Sequence, residues 1–217
     1  YRPFLVREEK ILLMALESED MKQITDAVVN ILNSCIITRG IKVVNLATFD
    51  IEYIFLNIRS KSVGEKIEVN VTCPDDNETK VTLDIDIDAI KVQKDKKHTD
   101  TVKLDDSLFL KLKYPSLDQF VQSNFEYNEN DADVDQSLDM IVSCIDMIYS
   151  EEESWPASDS TQKELKEFIE QMNTKQFKEI ETFFTTMPKL SHSVKVKNPN
   201  TGVTNNIILE GLASFFS

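Results

Sequence analysis

The sequence predicts an α+β fold: helices first, then antiparallel hairpins, then helices again and a closing hairpin. Three observations carry this expectation. Apolar residues recur every three to four positions in residues 8–64 and again after residue 116. Between residues 65 and 115 the period drops to two. Helical and strand stretches come in blocks instead of alternating, which points away from a parallel βαβ sheet. The expected parts are an N-terminal helical part (1–64), an antiparallel part (65–115), an acidic segment with C-terminal helices (116–188) and a C-terminal hairpin (189–217). They are expected to form one or two compact units. A chain of 217 residues can bury a core without covalent staples.

Taken in order, Tyr1 to Val6 contains Pro3 and reads as an extended arm. Glu8 to Glu17 carries Ile11, Leu12, Leu13, Met14 and Leu16, apolar almost all round, and is expected to be a buried helix. Ser18-Glu19-Asp20 interrupts it. Met21, Ile24, Ala27, Val28, Ile31, Leu32 and Cys35 then fall on one helical face. Leu12, Leu13, Leu16, Val28, Ile31 and Leu32 should share one core with Ile54, Phe55 and Ile58. Asp50 is a candidate N-cap for a third helix, which Gly64 stops.

Ile67, Val69, Val71 and Cys73 alternate with polar residues, as do Val81, Leu83, Ile85 and Ile87. Pro74-Asp75-Asp76-Asn77 supplies the turn. One face of this hairpin should be wet and acidic, with Asp84, Asp86 and Asp88 on it. A metal-binding row is the competing reading of those three. A third strand pair is expected to straddle Lys94 to Asp106, with Leu108, Leu110, Leu112 and Tyr114 alternating with Phe109, Lys111 and Lys113 until Pro115 ends the run. Leu138, Ile141, Ile145, Ile148 and Tyr149 read as one helical stripe. Thr161-Gln162-Lys163-Glu164 is a capping box ahead of a helix through Leu165, Phe168, Ile169 and Met172. Phe177 to Met187 forms another helix, ended by Pro188. The closing hairpin turns at Asn198-Pro199-Asn200-Thr201-Gly202.

Charge is concentrated. The chain carries a net charge of −14, and residues 114–162 hold 12 acids with no Lys or Arg. A net negative charge disfavours nucleic acid or an anionic membrane as partner. The acidic positions Asp131, Asp133, Asp135, Glu151, Glu152 and Glu153 are candidates for docking a basic partner. A solvated loop and helix face is the plainer reading. Asp131, Asp133 and Asp135 imitate the start of an EF-hand loop, but Gln136 and Val142 stand where Gly and Glu are needed, so that motif is rejected. Asn124 to Gln136 is expected to be loop-like, because it has too little apolar surface to offset ordering entropy. Arg59 and Lys61 are the basic counterpart, read either as bases at a helix C-terminus or as a contact for an acidic patch.

The chemistry of common enzymes is sparse. Cys35, Cys73 and Cys144 are far apart and odd in number, which suggests reduced, buried thiols. His98 sits among lysines and is expected to be exposed. No phosphate-binding loop, dinucleotide fingerprint, HExxH or CxxC occurs, and no apolar run reaches membrane-spanning length. No catalytic residue, metal or cofactor is assigned. The numbering opens on Tyr1, not Met, which suggests that residues precede it. Nothing here reads as a signal peptide.

Arg2-Pro3-Phe4, Glu8-Glu9-Lys10, Leu12-Leu13, Ala15 and Glu17-Ser18 together resemble the opening motif of the baseplate hub assembly proteins of T-even-like bacteriophages. Asn33-Ser34-Cys35, Phe49-Asp50-Ile51-Glu52-Tyr53-Ile54-Phe55, Leu56 through Gly64, Lys113-Tyr114-Pro115-Ser116, Leu209-Glu210-Gly211-Leu212 and Phe215-Phe216 continue the resemblance in order. It implies a non-enzymatic hub subunit or assembly factor. Its partners would be baseplate hub or tail proteins, a tape-measure protein, a related assembly factor or a second copy. Its location would be the host cytoplasm during assembly, or the virion baseplate. Two other classes compete: an acidic, DNA-mimicking inhibitor, and a hydrolase with an unrecognised carboxylate site. The turns at Cys73-Pro74 and Asn198-Pro199 also look like two zinc-ribbon knuckles, which some relatives keep as C-P-x-C. One thiol with His192 cannot supply four ligands. The expectation is therefore a metal-free ribbon whose hairpins pack together, with two unrelated hairpins as the alternative.

Overall fold

A computed structural model describes residues 1–18, 20–117 and 134–215. The chain divides into two compact units, Tyr1–Gln93 with Pro188–Ser217, and Lys94–Met187. The division thus falls inside the antiparallel stretch, just after Gln93.

In the first unit, α1 (Val6–Glu17), α2 (Met21–Cys35) and α3 (Thr48–Val63) precede two small sheets. Asp20 caps α2, its carboxylate accepting from the backbone N–H of Lys22 at 2.9 Å. The face read from the sequence is buried through Ala27, Val28, Ile31, Leu32 and Cys35. Each large side chain so buried contributes about 1.5–3 kcal/mol. α1 differs from the expectation of a buried helix. Leu12 and Ala15 face inward, Leu16 is half-buried, and Ile11, Leu13 and Met14 are exposed. Leu13 therefore does not join the core. An amphipathic helix resting on one neighbour covers only part of its circumference. α3 begins at Thr48 with Ala47 at the cap, so Asp50 lies in its first turn and does not cap it. Gly64 ends the helix as read, its N–H donating to the Ser60 carbonyl at 3.2 Å.

β1 (Lys66–Thr72) and β2 (Lys80–Asp86) form the expected hairpin, with Val69 opposite Leu83 and Val71 opposite Val81. Ile67, Val69 and Val71 are buried, while Glu68, Asp84 and Asp86 face water. A second sheet has the order β3–β8–β9, from β3 (Lys91–Gln93), β8 (Lys189–Lys197) and β9 (Thr204–Glu210). Leu56, Ile67, Val69, Val71, Cys73, Ile90, Leu190, Val196 and Phe215 close one core over both sheets.

The second unit carries the antiparallel order β4–β5–β6–β7, built from β4 (Thr101–Lys103), β5 (Phe109–Leu112), β6 (Ile145–Tyr149) and β7 (Ser154–Pro156). Its helices are α4 (Val134–Ser143), α5 (Gln162–Glu170) and α6 (Thr174–Thr186). The stripe read as one helix from Leu138 to Tyr149 is a helix followed by a strand. α4 stops at Ser143, and Ile145 to Tyr149 pair with β5 and β7. Short apolar runs fit either period, and two paired flanks favour the strand. Residues 134–136, expected in a loop, open α4, and the rest of Asn124 to Gln136 lies outside the described residues. The capping box at Thr161 forms: the Thr161 N–H donates to Glu164 Oε2 at 2.8 Å, and the Glu164 N–H donates to Thr161 Oγ1 at 3.3 Å. Val102, Leu110, Leu112, Ile145, Leu165, Ile169, Ile180 and Phe183 make the core.

Candidate functional site

The charged positions singled out from the sequence are placed unequally. Glu151, Glu152 and Glu153 form the exposed turn between β6 and β7. The Ser150 N–H donates to the Glu153 carbonyl at 2.8 Å, and Ser150 Oγ accepts from the Glu153 N–H at 3.0 Å. Next to this turn Trp155 stands on β7, the edge strand of its sheet, and is 44% exposed. The acidic turn thus adjoins an aromatic side chain of the kind that anchors protein interfaces. Asp131 and Asp133 lie outside the described residues, and Asp135 sits on the first turn of α4. Other acids of the same stretch serve the unit itself: Asp139 pairs with Lys166 at 3.1 Å and Asp146 with Lys111 at 3.3 Å.

Arg59 and Lys61 are both near the end of α3, but two positions separate them by about 200° around a helix. Arg59 is half-buried, and loss of solvent pulls its guanidinium below its ordinary value. Lys61 is exposed.

Sequence reading missed Glu8. It is 4% exposed and gathers the arm that precedes α1. Its carboxylate accepts from Arg2 Nη2 at 2.9 Å, from Arg7 Nε at 3.1 Å and from the Leu5 N–H at 2.5 Å. These donors, Arg2 foremost, hold its pKa down to about 2. The arm is also tied by backbone: the Arg2 N–H donates to the Cys35 carbonyl at 2.9 Å and the Phe4 N–H to Ser62 Oγ at 2.9 Å. The spacing of Leu5 and Glu8 is that of a cap and its third helical residue. Because Leu5 has no side-chain acceptor, the pattern did not stand out.

The two proline turns meet. Asn198 is 0% exposed and donates through Nδ2 to Asp75 Oδ1 at 3.0 Å and to Asp76 Oδ2 at 2.9 Å. Asn205 Nδ2 donates to Asp75 Oδ1 at 2.8 Å, the Thr201 hydroxyl donates to Asp75, and Asn200 Nδ2 donates to Thr79 Oγ1 at 2.9 Å. The turns also share a backbone plan. Asn77 N–H returns to the Cys73 carbonyl and Gly202 N–H to the Asn198 carbonyl, both at 2.9 Å. Asn77 (φ 56) and Gly202 (φ 77) stand at the same place in each turn, in left-handed backbone that favours Asn and Gly. The donors of Asn198, Thr201 and Asn205 hold the Asp75 carboxyl low, and Thr79 and Asn198 hold Asp76 low. Burial raises the Cys73 thiol, which makes it a poor nucleophile. The hairpins pack as expected, joined by hydrogen bonds. Among the described residues no group of three or more His, Cys, Asp or Glu is placed to hold a metal.

His98 is not the exposed residue expected. Its Nδ1 lies 2.9 Å from Thr186 Oγ1 and its Nε2 lies 2.9 Å from the Tyr114 hydroxyl. The ring stacks on Tyr114 at 5.6 Å and lies against Phe183 at 5.2 Å. Desolvation, with help from Lys94, lowers its pKa. Both ring nitrogens are committed within the fold.

No described helix is long and apolar enough to cross a membrane. Exposed on the described residues are an acidic turn beside Trp155, and a tethered N-terminal arm whose helix shows apolar side chains outward. No curated protein and no solved structure matches the chain significantly. A family model described as T4 bacteriophage base plate protein matches residues 1–217, and the chain belongs to that family.

Proposed function

We propose that the chain acts without covalent chemistry, as a subunit or assembly factor of the baseplate hub, by binding other tail proteins. The observation that carries this reading is the match of a base plate family over all 217 residues. It is joined by the motifs at Arg2 to Ser18 and Leu56 to Gly64, which resemble hub assembly proteins in particular. The exposed triad Glu151, Glu152 and Glu153, with Trp155, suits reversible capture of a basic partner. Rim charges set on-rate and salt dependence, and a half-exposed aromatic provides the apolar anchor. Asp131, Asp133 and Asp135 extend the same negative stretch of sequence. The partners are hub or tail proteins, with a tape-measure protein or a related assembly factor among them. They would be met in the host cytoplasm during assembly or in the virion baseplate.

The test is retrieval of partners from infected cells with the tagged full chain, followed by mass spectrometry. Hub and tape-measure proteins should dominate. Replacing Glu151, Glu152 and Glu153 by Gln should slow association and flatten its salt dependence. Recovery of host enzymes alone would overturn the reading.

A further inference from the structure

β9 ends the order β3–β8–β9, and its outer side pairs with no further strand among the described residues. The Asn198 N–H donates to the Val203 carbonyl at 2.8 Å and the Gly211 N–H to the Leu190 carbonyl at 3.0 Å. These two bonds fix the phase of the β8–β9 ladder, in which bonded pairs alternate with unbonded ones. Asn205, Ile207 and Leu209 thus turn their backbone groups to β8. Thr204, Asn206, Ile208 and Glu210 turn theirs outward. No hydrogen bond joins the N–H or C=O of Asn206 or Ile208 to another described residue. The Ile208 side chain stands in water as well, with the residue 60% exposed. After Glu210 the chain leaves the edge: Gly211 (φ 71) turns it, and Phe215 is buried in the core.

Natural sheet edges are protected by shortness, proline or charge. Each other edge of the described sheets has one of these. β3, β4 and β7 have three residues each, and β7 contains Pro156. β1 carries Lys66 and Glu68 among its exposed positions, and β2 carries Lys80, Asp84 and Asp86. β9 runs for seven residues, and its one charge, Glu210, stands at the end. A long open edge of this kind accepts a strand.

We propose that β9 pairs antiparallel with β9 of a second copy of this chain. The strand is complementary to itself. When the pair is centred on Ile207 all seven residues overlap, and the outward groups of Asn206 meet those of Ile208 from the other copy. Glu210 falls opposite Thr204, so the one charge avoids its own kind. Ile207 meets Ile207, a β-branched cross-strand pair. The two-fold arrangement closes on itself. It joins two three-stranded sheets into one whose outer edges are both β3, short and headed by the exposed Lys91. One strand pair is a small interface beside the roughly 1,200 Å² of stable complexes, so the dimer is weak and forms where copies are concentrated. This contact between copies is independent of the hub reading.

The test uses the full chain, with sedimentation velocity from micromolar to millimolar concentration and amide hydrogen exchange at both ends of that range. A dimer should appear as concentration rises. The Asn206 and Ile208 amides should exchange freely in the monomer and slow by about tenfold or more in the dimer. Those of Ile207 and Leu209, bonded to β8, should be protected throughout. Ile208→Pro removes an outward donor and no bond to β8, so it should weaken the dimer by about tenfold or more with little change in thermal midpoint. Asn206→Pro serves if Ile208→Pro misfolds. Leu13→Ser alters an exposed apolar side chain on α1 and should leave the dimer intact. Each copy carries a net charge of −14, so added salt should strengthen the dimer. Absence of a dimer overturns the proposal, as does a dimer in which the Asn206 and Ile208 amides stay unprotected. A dimer abolished by Leu13→Ser, or unaffected by both proline variants, overturns it too. So does protection of those amides in the dilute monomer, or only on adding a tail protein retrieved from infected cells, because another occupant would then hold the edge. Failure to retrieve any tail protein would count against the hub reading alone.

Discussion

Asn198 and Asp76 stand 122 positions apart in sequence, and the Asn198 amide donates to the Asp76 carboxylate at 2.9 Å. The same amide nitrogen also serves Asp75, while Asn198 Oδ1 accepts the Asn200 N–H at 2.8 Å. One neutral side chain thus supplies a donor to two carboxylates and an acceptor to its own turn. An amide can do this and a carboxylate cannot.

Asn198→Asp should therefore be worse than Asn198→Ala. The alanine removes a donor from two carboxylates that water can still reach, so its cost should be the smaller one. The aspartate sets a carboxylate at a buried position against the partly exposed Asp75 and the half-buried Asp76, and should cost more than the alanine at neutral pH. Part of that loss should return as pH falls into the carboxylate range, because protonation restores a donor. Denaturant unfolding of both variants at two pH values measures this. Equal costs would show that water reaches position 198 as well.

Glu8 makes a prediction in pH. Its carboxyl, ordinarily at 4.5, is held down to about 2, chiefly by the hydrogen bond from Arg2. The unfolded state then binds the proton more readily, so the stability from Glu8 is complete above about 4.5 and is lost as pH falls toward 2. Glu8→Gln should lower the thermal midpoint at pH 7 and flatten its slope across that window. A slope unchanged by the substitution would mean the arm is not held by this carboxylate.

What could be read from the sequence was what neighbours in sequence decide. The helix face through Ala27, Val28, Ile31 and Leu32, the capping box at Thr161 and the alternation of Ile67, Val69 and Val71 follow from local period and local hydrogen bonding. Even the meeting of the proline turns was legible, because Cys73-Pro74 and Asn198-Pro199 repeat one layout. The errors arose where the deciding contact was distant. Ile145 and Ile148 keep helical spacing, yet Leu112 and Leu110 pair opposite them. His98 lies among lysines in sequence but is held by Thr186, 88 positions away. Leu13 and Met14 look like core in a helix whose inward arc ends at Leu12 and Ala15. Glu151 to Glu153 could be found by charge.

The difference within α1 and α2 is measurable. Leu32 is wholly buried, so Leu32→Ala should cost about 2–5 kcal/mol in chemical unfolding. Leu13 faces outward, and Leu13→Ala should stay within about 0.5 kcal/mol. Leu16, half-buried, should fall between them. A cost for Leu13→Ala near that of Leu32→Ala would place Leu13 in a buried contact.

The last prediction concerns the proton on His98. Thr186 Oγ1 donates to the Thr182 carbonyl at 2.6 Å, so its hydrogen is committed and it accepts from the imidazole. The Nδ1 atom therefore carries the proton, and Nε2 accepts from the Tyr114 hydroxyl. Nitrogen chemical shifts should report this tautomer at neutral pH. Protonating Nε2 would turn two donors toward each other unless the Tyr114 hydroxyl rotates, which adds to the desolvation and the Lys94 charge that already lower the pKa. Asp95 and Asp100 act in the opposite direction. Because the folded pKa lies below the ordinary 6.5, the unfolded state binds more protons just under that pH. Stability should then rise with pH through the window below 6.5 and level off above it. Tyr114→Phe should cost about 0.5–1.5 kcal/mol by removing the donor to Nε2. A His98 titration midpoint above 6.5 would show that Asp95 and Asp100 outweigh burial, and that the ring is far wetter than its stacking between Tyr114 and Phe183 requires.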